Sequence, residues 1–424
     1  MKKTLLAVAV STALSATSAF AASPTVEEEI DILQQEIDVL KEQMAKTSAT
    51  PGPAAGATTQ SIASPKAAGT ATTIGGYGEF AYNHYVKGNN KNDEADLRRF
   101  VLFFGHSFNE NLRFVSELEW EHGVTSRDDA GETEVEQSYI NYRVSEAVNY
   151  KGGLFLIPLG LLNETHEPPT YYGVERNEVE TRIIPTTWRE GGFGIYGEVD
   201  EGLHYDLGIT TGFNAGKFTD PSTGVREGHQ EMTLARANDL SVYGALNFLG
   251  VPGMQLGGGI FTGNTGQDGY TGPGSVRQQP LLQGVKGRLI LWDLHAKFTQ
   301  GNLELQGLYA KGTLGDADAI SAAAVADGRD GAIPKSFYGW YSQVAYHLWR
   351  RGDLDLAPFI RYEKYNTQQQ VATGFVANPL NDERVITAGL SFKLHPQVVL
   401  KTDFQKYHAD SSKNRFNVGL GYMF

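Results

Sequence analysis

The sequence predicts an all-β chain: a 16-stranded antiparallel transmembrane β-barrel, preceded by a short N-terminal coiled-coil helix. Three observations carry that expectation. From residue 74 to Phe424, segments of about ten residues alternate apolar and polar side chains, a period of two that sets one face of a strand against lipid and the other against water. The segments number sixteen, and the breaks between them are alternately short and long, with both ends of the barrel on the short side. A soluble sandwich has no reason to alternate in that way. No run of 18 or more apolar residues follows the first 21 residues, so no membrane helix is predicted. Yet 20 Tyr, 21 Phe and 5 Trp concentrate in the strand segments, often near their ends, as interface girdles require.

Residues 1–21 read as a secretory signal peptide. Lys2 and Lys3 form the basic start, residues 5–16 the apolar run, and Ala19-Phe20-Ala21 the cleavage site. Its removal takes the formal charge from −13 to −15. That acidic balance argues against a nucleic-acid partner. There is no cysteine, so export is not being used to build a disulfide framework. Residues 22–46 read as a periplasmic coiled-coil segment. Val26, Ile30, Leu33, Ile37, Leu40 and Met44 are spaced 4, 3, 4, 3, 4, with isoleucine at a and leucine at d, a pattern leaning towards two strands. At under three heptads such a helix is marginal alone and assists an assembly made elsewhere. Residues 47–73, rich in Ala, Thr, Ser, Gly and Pro with Lys66 as their one charge, read as a flexible linker.

The barrel domain is expected over 74–424. Its first strands are predicted at 74–85, 97–108, 112–122, 133–144 and 150–157, and its last at 383–394, 397–408 and 413–424. In 112–121 the even positions are Leu112, Phe114, Ser116, Leu118 and Trp120, and the odd ones Arg113, Val115, Glu117, Glu119 and Glu121. The second set is assigned to the lumen. Sixteen strands leave an aqueous channel rather than a packed interior. The third long break, 158–187, differs from every other part. No regular period is sustained from Pro158 to Glu190, and Pro168, Pro169 and Pro185 exclude a long helix or strand. A loop of that length in a compact domain is usually functional. We expect it to fold into the lumen and narrow a pore.

The order of signal, coiled coil, spacer and barrel ending on an aromatic strand resembles the phosphate-selective porin O/P family. The runs LRRFVLFFGHSFNENLRFVSELEWEHG (97–123) and GGLFLIPLGLLNETHEPP (152–169) carry the resemblance most strongly. It implies a homotrimer in the Gram-negative outer membrane, in contact with lipid and lipopolysaccharide, with the third long loop constricting each pore. Its name implies phosphate selectivity, which rests on a cationic eyelet. Here the loop and its exit carry Glu164, Glu167, Glu175, Glu178, Glu180 and Glu190 against Arg176, Arg182 and Arg189. The predicted lumen wall mixes signs, with Arg99, Arg113, Glu117 and Arg143 early and Arg361, Lys393, Lys401, Asp403 and Arg415 late. Carboxylates favour cations and Arg or Lys favour anions. The expectation is therefore a passive channel for small polar or ionic solutes, with a field between an acidic loop and a basic wall patch. Arg99, Arg113 and Arg143 are the candidates for the basic side. An oxyanion-selective channel and a structural barrel touching the cell wall are the alternatives. Tyr171 and Tyr172 are expected to pack the loop rather than flank a solute path.

Nothing points to an enzyme. There is no thiol nucleophile, no H-E-x-x-H and no G-x-S-x-G. No cofactor or metal is expected: the acidic breaks 86–96 and 123–132 lack the spacing of an EF-hand loop.

Overall fold

The computed structural model describes residues 71–86, 93–218, 220–270 and 279–424. The signal peptide, the coiled-coil segment and the linker up to residue 70 lie outside the described residues, as does part of the break at 86–96. The strands run β1 (Ala71–Tyr85), β2 (Glu94–Ser107), β3 (Leu112–Glu121), β4 (Thr133–Arg143), β5 (Asn149–Leu156), β6 (Arg189–Asp200), β7 (Leu203–Thr211) and β8 (Leu240–Phe248). They continue as β9 (Met254–Gly263), β10 (Leu289–Gln300), β11 (Leu303–Leu314), β12 (Pro334–Tyr346), β13 (Trp349–Arg351), β14 (Leu354–Val371), β15 (Asp382–His395), β16 (Val398–Tyr407) and β17 (Arg415–Met423). Among the described residues two α-helices, α1 (Val179–Arg182) and α2 (Ala317–Ala326), and several short 3-10 turns lie between them.

Each strand pairs antiparallel with its sequence neighbours, and β1 pairs with β17, so the sheet has no free edge. The three residues of β13 continue β12 beyond a two-residue break and pair with the same β14. The closed barrel therefore has sixteen staves. Closure pairs the peptide N–H and C=O groups along every strand within the sheet, as a sheet set in hydrocarbon would require. At the seam Tyr77 faces Met423, and Phe424 exchanges two backbone hydrogen bonds with Gly76, at 2.9 and 3.0 Å.

The pleat behaves as the alternation requires. Phe80, Ile140, Phe193, Ile209, Leu246, Leu294, Ile360, Ile386, Phe404 and Val418 stand exposed on the outer face. Their neighbours in sequence turn inward and are buried, among them Glu79, Asp293, Arg361, Asp403 and Asn417. At two places a β-bulge breaks the period. Between β1 and β2 the register slips at Glu79/Phe80, so Arg98 is extra; between β3 and β4 it slips at Glu117/Leu118, so Glu136 is extra. A bulge re-aims a side chain, and here Arg98 and Arg99, like Glu136 and Gln137, all make contacts or are buried on the inner side.

Two boundaries differ from expectation. Ala71–Thr73, assigned to the linker, begin β1, where they pair with Gly105, His106 and Ser107. Three residues of the break 86–96 begin β2, which starts at Glu94. β14 is the longest of the described strands and runs on to Val371, which leaves a short connection to β15. The connection between β11 and β12 holds α2, whose alanines lie in the interior apolar cluster.

The interior is not wholly aqueous. Ile157, Leu159, Val179, Ile183, Ile184 and Trp188 of the third long loop join Phe213, Phe261, Leu289, Leu291 and Tyr341 in a buried apolar cluster. Trp188 packs edge-on against Phe261 at 4.5 Å and stacks on Phe213 at 5.3 Å. This corrects the expectation of an unpacked interior: the loop carries its own apolar face and buries it inside the barrel, against β9, β10 and β12.

Candidate functional site: the inward loop and its charged seat

The loop between β5 and β6 is tied at its neck. Ile157 N–H donates to the Trp188 carbonyl at 2.9 Å. The Asn163 amide donates to the carbonyls of Ile157 and Trp188 at 2.8 Å each, and its oxygen accepts from Trp188 N–H at 2.7 Å. From this neck the chain crosses the lumen. Pro168 and Pro169, which cannot serve a ladder, form a 3-10 turn against β1, β16 and β17. Beyond it, α1 lies against β12 and β14.

Polar contacts fix the crossing. Tyr171 donates to Glu79 at 2.9 Å, and Lys401 lies 3.5 Å above the Tyr171 ring while donating to the Gly173 carbonyl. Val174 N–H donates to Asp403 at 2.6 Å, and Glu178 N–H donates to Glu363 at 2.6 Å, which in turn holds Arg361 at 2.7 Å. Tyr172 pairs with His347 at 3.1 Å and stacks on Phe359. Both tyrosines thus pack the loop.

The sequence-selected acids are placed as follows. Glu175 accepts from Arg98 at 2.5 Å and from Asn83 at 2.9 Å, with Arg415 at 3.9 Å. Glu178 pairs with Arg182 and accepts from Tyr407 at 2.6 Å. Burial pushes the Glu178 carboxyl up, but Arg182 and the Tyr407 hydroxyl outweigh it and hold it down at about 2. Glu180 is 3% exposed and accepts four hydrogen bonds, from Leu161 N–H, Leu162 N–H, the Asn177 amide and the Tyr341 hydroxyl. Glu164 is half-buried and Glu167 buried, and burial raises both to about 7. Arg176 turns back on the loop, to Thr186 at 2.6 Å and Thr187 at 2.7 Å. Arg189 begins β6 and holds Glu134 at 2.5 Å and Glu231 at 3.2 Å, while Glu190 accepts from Thr211.

On the wall, Arg99 bridges Glu79 at 2.8 Å and Glu119 at 3.3 Å, and Gln137 donates to Glu117 at 2.6 Å. Arg415 donates to Gln405 at 2.7 Å, and Asp403 accepts from Asn417 at 2.7 Å. Arg113, across from Asn141, and Lys393, across from Asp355, keep partial exposure towards the short-turn end, as do Asp206, Asn247, Gln255 and Lys297. Arg143 does not face the loop. It ends β4 beside the short turn, 3.8 Å from Glu146, with its side chain 52% exposed. A residue at that rim is a strand's length from the acids it was expected to oppose.

The seat therefore differs from a row of free carboxylates facing a row of free cations. Opposite charges are interleaved in pairs, and what each pair shows to water depends on which member is more exposed. Arg98 and Arg182 keep 25% and 28% side-chain exposure, against 12% and 8% for Glu175 and Glu178. At the β4–β6 side the order reverses: Glu134 and Glu231 keep 24% and 28%, and Arg189 only 4%. Sequence reasoning missed Arg98, Glu134, Glu136 and Glu231. Strict alternation hides the first and third, because each sits on a bulge, and Glu231 comes from a different long loop.

Known proteins share this architecture. The chain aligns with OmpF of Salmonella typhi (TM-score 0.56, 13% identity, covering 84% of this chain and 98% of that one). It aligns with the outer membrane channel DcaP of Acinetobacter baumannii (TM-score 0.53, 11% identity, 85% and 99%) and with an anion-selective porin from Comamonas acidovorans (0.50, 13%, 84% and 100%). At such identities the likeness is one of fold, that of the outer-membrane porins. No family model matches the sequence. An uncharacterized protein of Aquifex aeolicus (strain VF5) is 33% identical over 367 residues, covering 83% of this chain and 80% of that one. With a third of its positions shared over that length, the chain belongs to the same family as the Aquifex aeolicus protein.

Proposed function

We propose that the protein is an outer-membrane porin, a channel for passive diffusion of small polar or charged solutes, narrowed by the inward loop 158–187. The observation that carries this reading is the closed sixteen-stave barrel with an apolar outer face and a charged inner one, crossed by a loop pinned through ion pairs. An apolar girdle outside and buried carboxylates and guanidinium groups inside suit a lipid exterior and a polar lumen. The paired charges around the loop give weak selectivity, since neither sign dominates what water meets. A homotrimer and a periplasmic N-terminal segment, in the manner of the phosphate-selective porin O/P family, belong to the same reading, on the strength of the sequence runs at 97–123 and 152–169. The test is single-channel current of the purified full chain in planar bilayers. Steady ohmic conductance is expected, and a folded protein that passes no current would overturn the reading.

The greater exposure of Arg98 and Arg182 over their acidic partners favours a second reading, a channel tilted towards oxyanions. In that case the zero-current potential in a salt gradient has the anion sign, and phosphate reduces the chloride current. An unselective pore shows neither effect.

A further inference from the structure

Among the described residues, one group of buried polar atoms serves neither the ladder nor the loop's pins. Glu117 on β3, Glu136 on the β4 bulge and His166 of the inward loop bring one ligand atom each within 4.8 Å of one another. All three side chains are at most 1% exposed. Each is held from behind and left bare in front. The Gln137 amide fixes Oε2 of Glu117 at 2.6 Å, and Oε1 has no hydrogen-bond partner. Nδ1 of His166 lies 2.9 Å from the Asn163 carbonyl, which can only accept, so Nδ1 carries the proton. With that single proton on the ring, Nε2 presents a lone pair. It points at Oε1 of Glu117, 3.4 Å away, and at Oε2 of Glu136, 3.9 Å away. No donor group reaches either oxygen of Glu136, although the Glu119 carboxylate lies within hydrogen-bond reach of it.

Lone pairs facing one another in a buried space require something positive between them. The nearby arginines are committed: Arg99 to Glu79 and Glu119, Arg189 to Glu134 and Glu231. A proton on His166 would answer Glu117, and a proton shared with the neighbouring Glu119 carboxylate would serve one oxygen of Glu136, which still leaves the other bare. A metal ion answers all three. Ligands bonded at about 2.0–2.2 Å in a tetrahedral arrangement lie about 3.3–3.6 Å apart, close to the 3.4 Å between Nε2 and Glu117. A histidine whose far nitrogen is fixed by a carbonyl, beside a carboxylate fixed by an amide, is the outer-shell arrangement metal sites use.

We propose that Glu117, Glu136 and His166 bind one divalent transition-metal ion of the zinc or manganese class, which fastens the inward loop to the β3–β4 wall. The imidazole donor disfavours calcium and magnesium, which take oxygen ligands. The ion would bridge two elements, so it acts on the position of the loop. Binding does not depend on the porin reading, because it is measured without any current.

The full chain, purified in detergent and stripped with a chelator, is exposed to Mn2+, Zn2+ or Ca2+, dialysed and assayed for metal. Retention of one Zn2+ or Mn2+ per chain, no competition by Ca2+, and loss of the ion in Glu136→Gln and in His166→Ala are expected. No retained ion, equal retention by both variants, or Ca2+ binding as tight as Zn2+ would overturn the assignment. Should either variant fail to fold, the Mn2+-loaded wild type decides. Pulsed electron paramagnetic resonance should show coupling to an imidazole nitrogen, and its absence would place the ion elsewhere.

Discussion

Glu180 shows how a side chain chosen from sequence as a charge in a pore serves a different purpose in the fold. Its carboxylate sits among four donors, two of them backbone N–H groups of the turn at the loop's entry. Removing it strands those donors in a buried place, so Glu180→Ala should cost about 3–5 kcal/mol, the range for breaking a buried charged network. Thermal unfolding in detergent measures it, and a loss below about 1 kcal/mol would mean the loop does not depend on this latch. Titration offers a second check at the same scale. Burial, followed by the charges of Arg226, Lys217 and Arg189, lowers His229 in the long loop 212–239 to about 3 from its ordinary 6.5. The folded chain therefore keeps this ring neutral where the unfolded chain protonates it. Stability from this group is full above pH 6.5 and is lost as pH falls towards about 3. Glu178, held at about 2 rather than 4.5, adds a loss only below 4.5, as pH falls towards about 2. Glu164 and Glu167, raised to about 7, act with the opposite sign between pH 7 and 4.5, so the test is a difference: the unfolding temperature of His229→Gln should gain on that of the wild type as pH falls from 6 to 4.5, with the fall below 4.5 common to both. An unchanged profile would show that His229 is reached by water.

At the scale of elements, the strands were legible and the contacts of the loop were not. Period two is a local property, so β3 and β15 could be read residue by residue, and Pro168 and Pro169 marked where regular structure had to stop. The loop's partners are not local. Tyr171 reaches back 92 residues to Glu79, and Val174 reaches forward 229 residues to Asp403. No spacing rule encodes such pairs. The bulges are invisible for another reason: one extra residue in β2 or β4 leaves the composition of the strand unchanged while turning Arg98 and Glu136 inward. The loop's entry also depends on a backbone feature that its sequence only hints at. Gly160 has φ +78°, and a Cβ there would stand 2.4 Å from the Glu180 carboxylate. Gly160→Ala meets both a left-handed backbone and the latch, so it should destabilise by more than about 1 kcal/mol. The same substitution at Gly301, φ +60° with nothing within 4 Å, meets the backbone penalty alone. Comparing the two unfolding temperatures isolates the clash. Equal losses would show that the latch yields at no cost.

For the whole molecule, the arrangement that matters is which charges remain visible to water after the pairs have formed. The expectation of an acidic loop facing a basic wall is recast by the structure. Around the loop's far reach the more exposed partners are Arg98 and Arg182; at the β4–β6 side they are Glu134 and Glu231. A solute in a lumen so lined meets opposite signs at two places. Removing one set should then shift selectivity one way and removing the other should shift it back, since a partly desolvated charge acts on ions over a Debye length of about 10 Å in 0.1 M salt. Arg98→Gln with Arg182→Gln should move the zero-current potential in a potassium chloride gradient towards cations. Glu134→Gln with Glu231→Gln should move it towards anions, and both shifts should shrink in 1 M salt, where screening reaches within about 3 Å. Shifts of the same sign, or none in either double variant with conductance intact, would mean that ions pass somewhere other than between these two sets of charges.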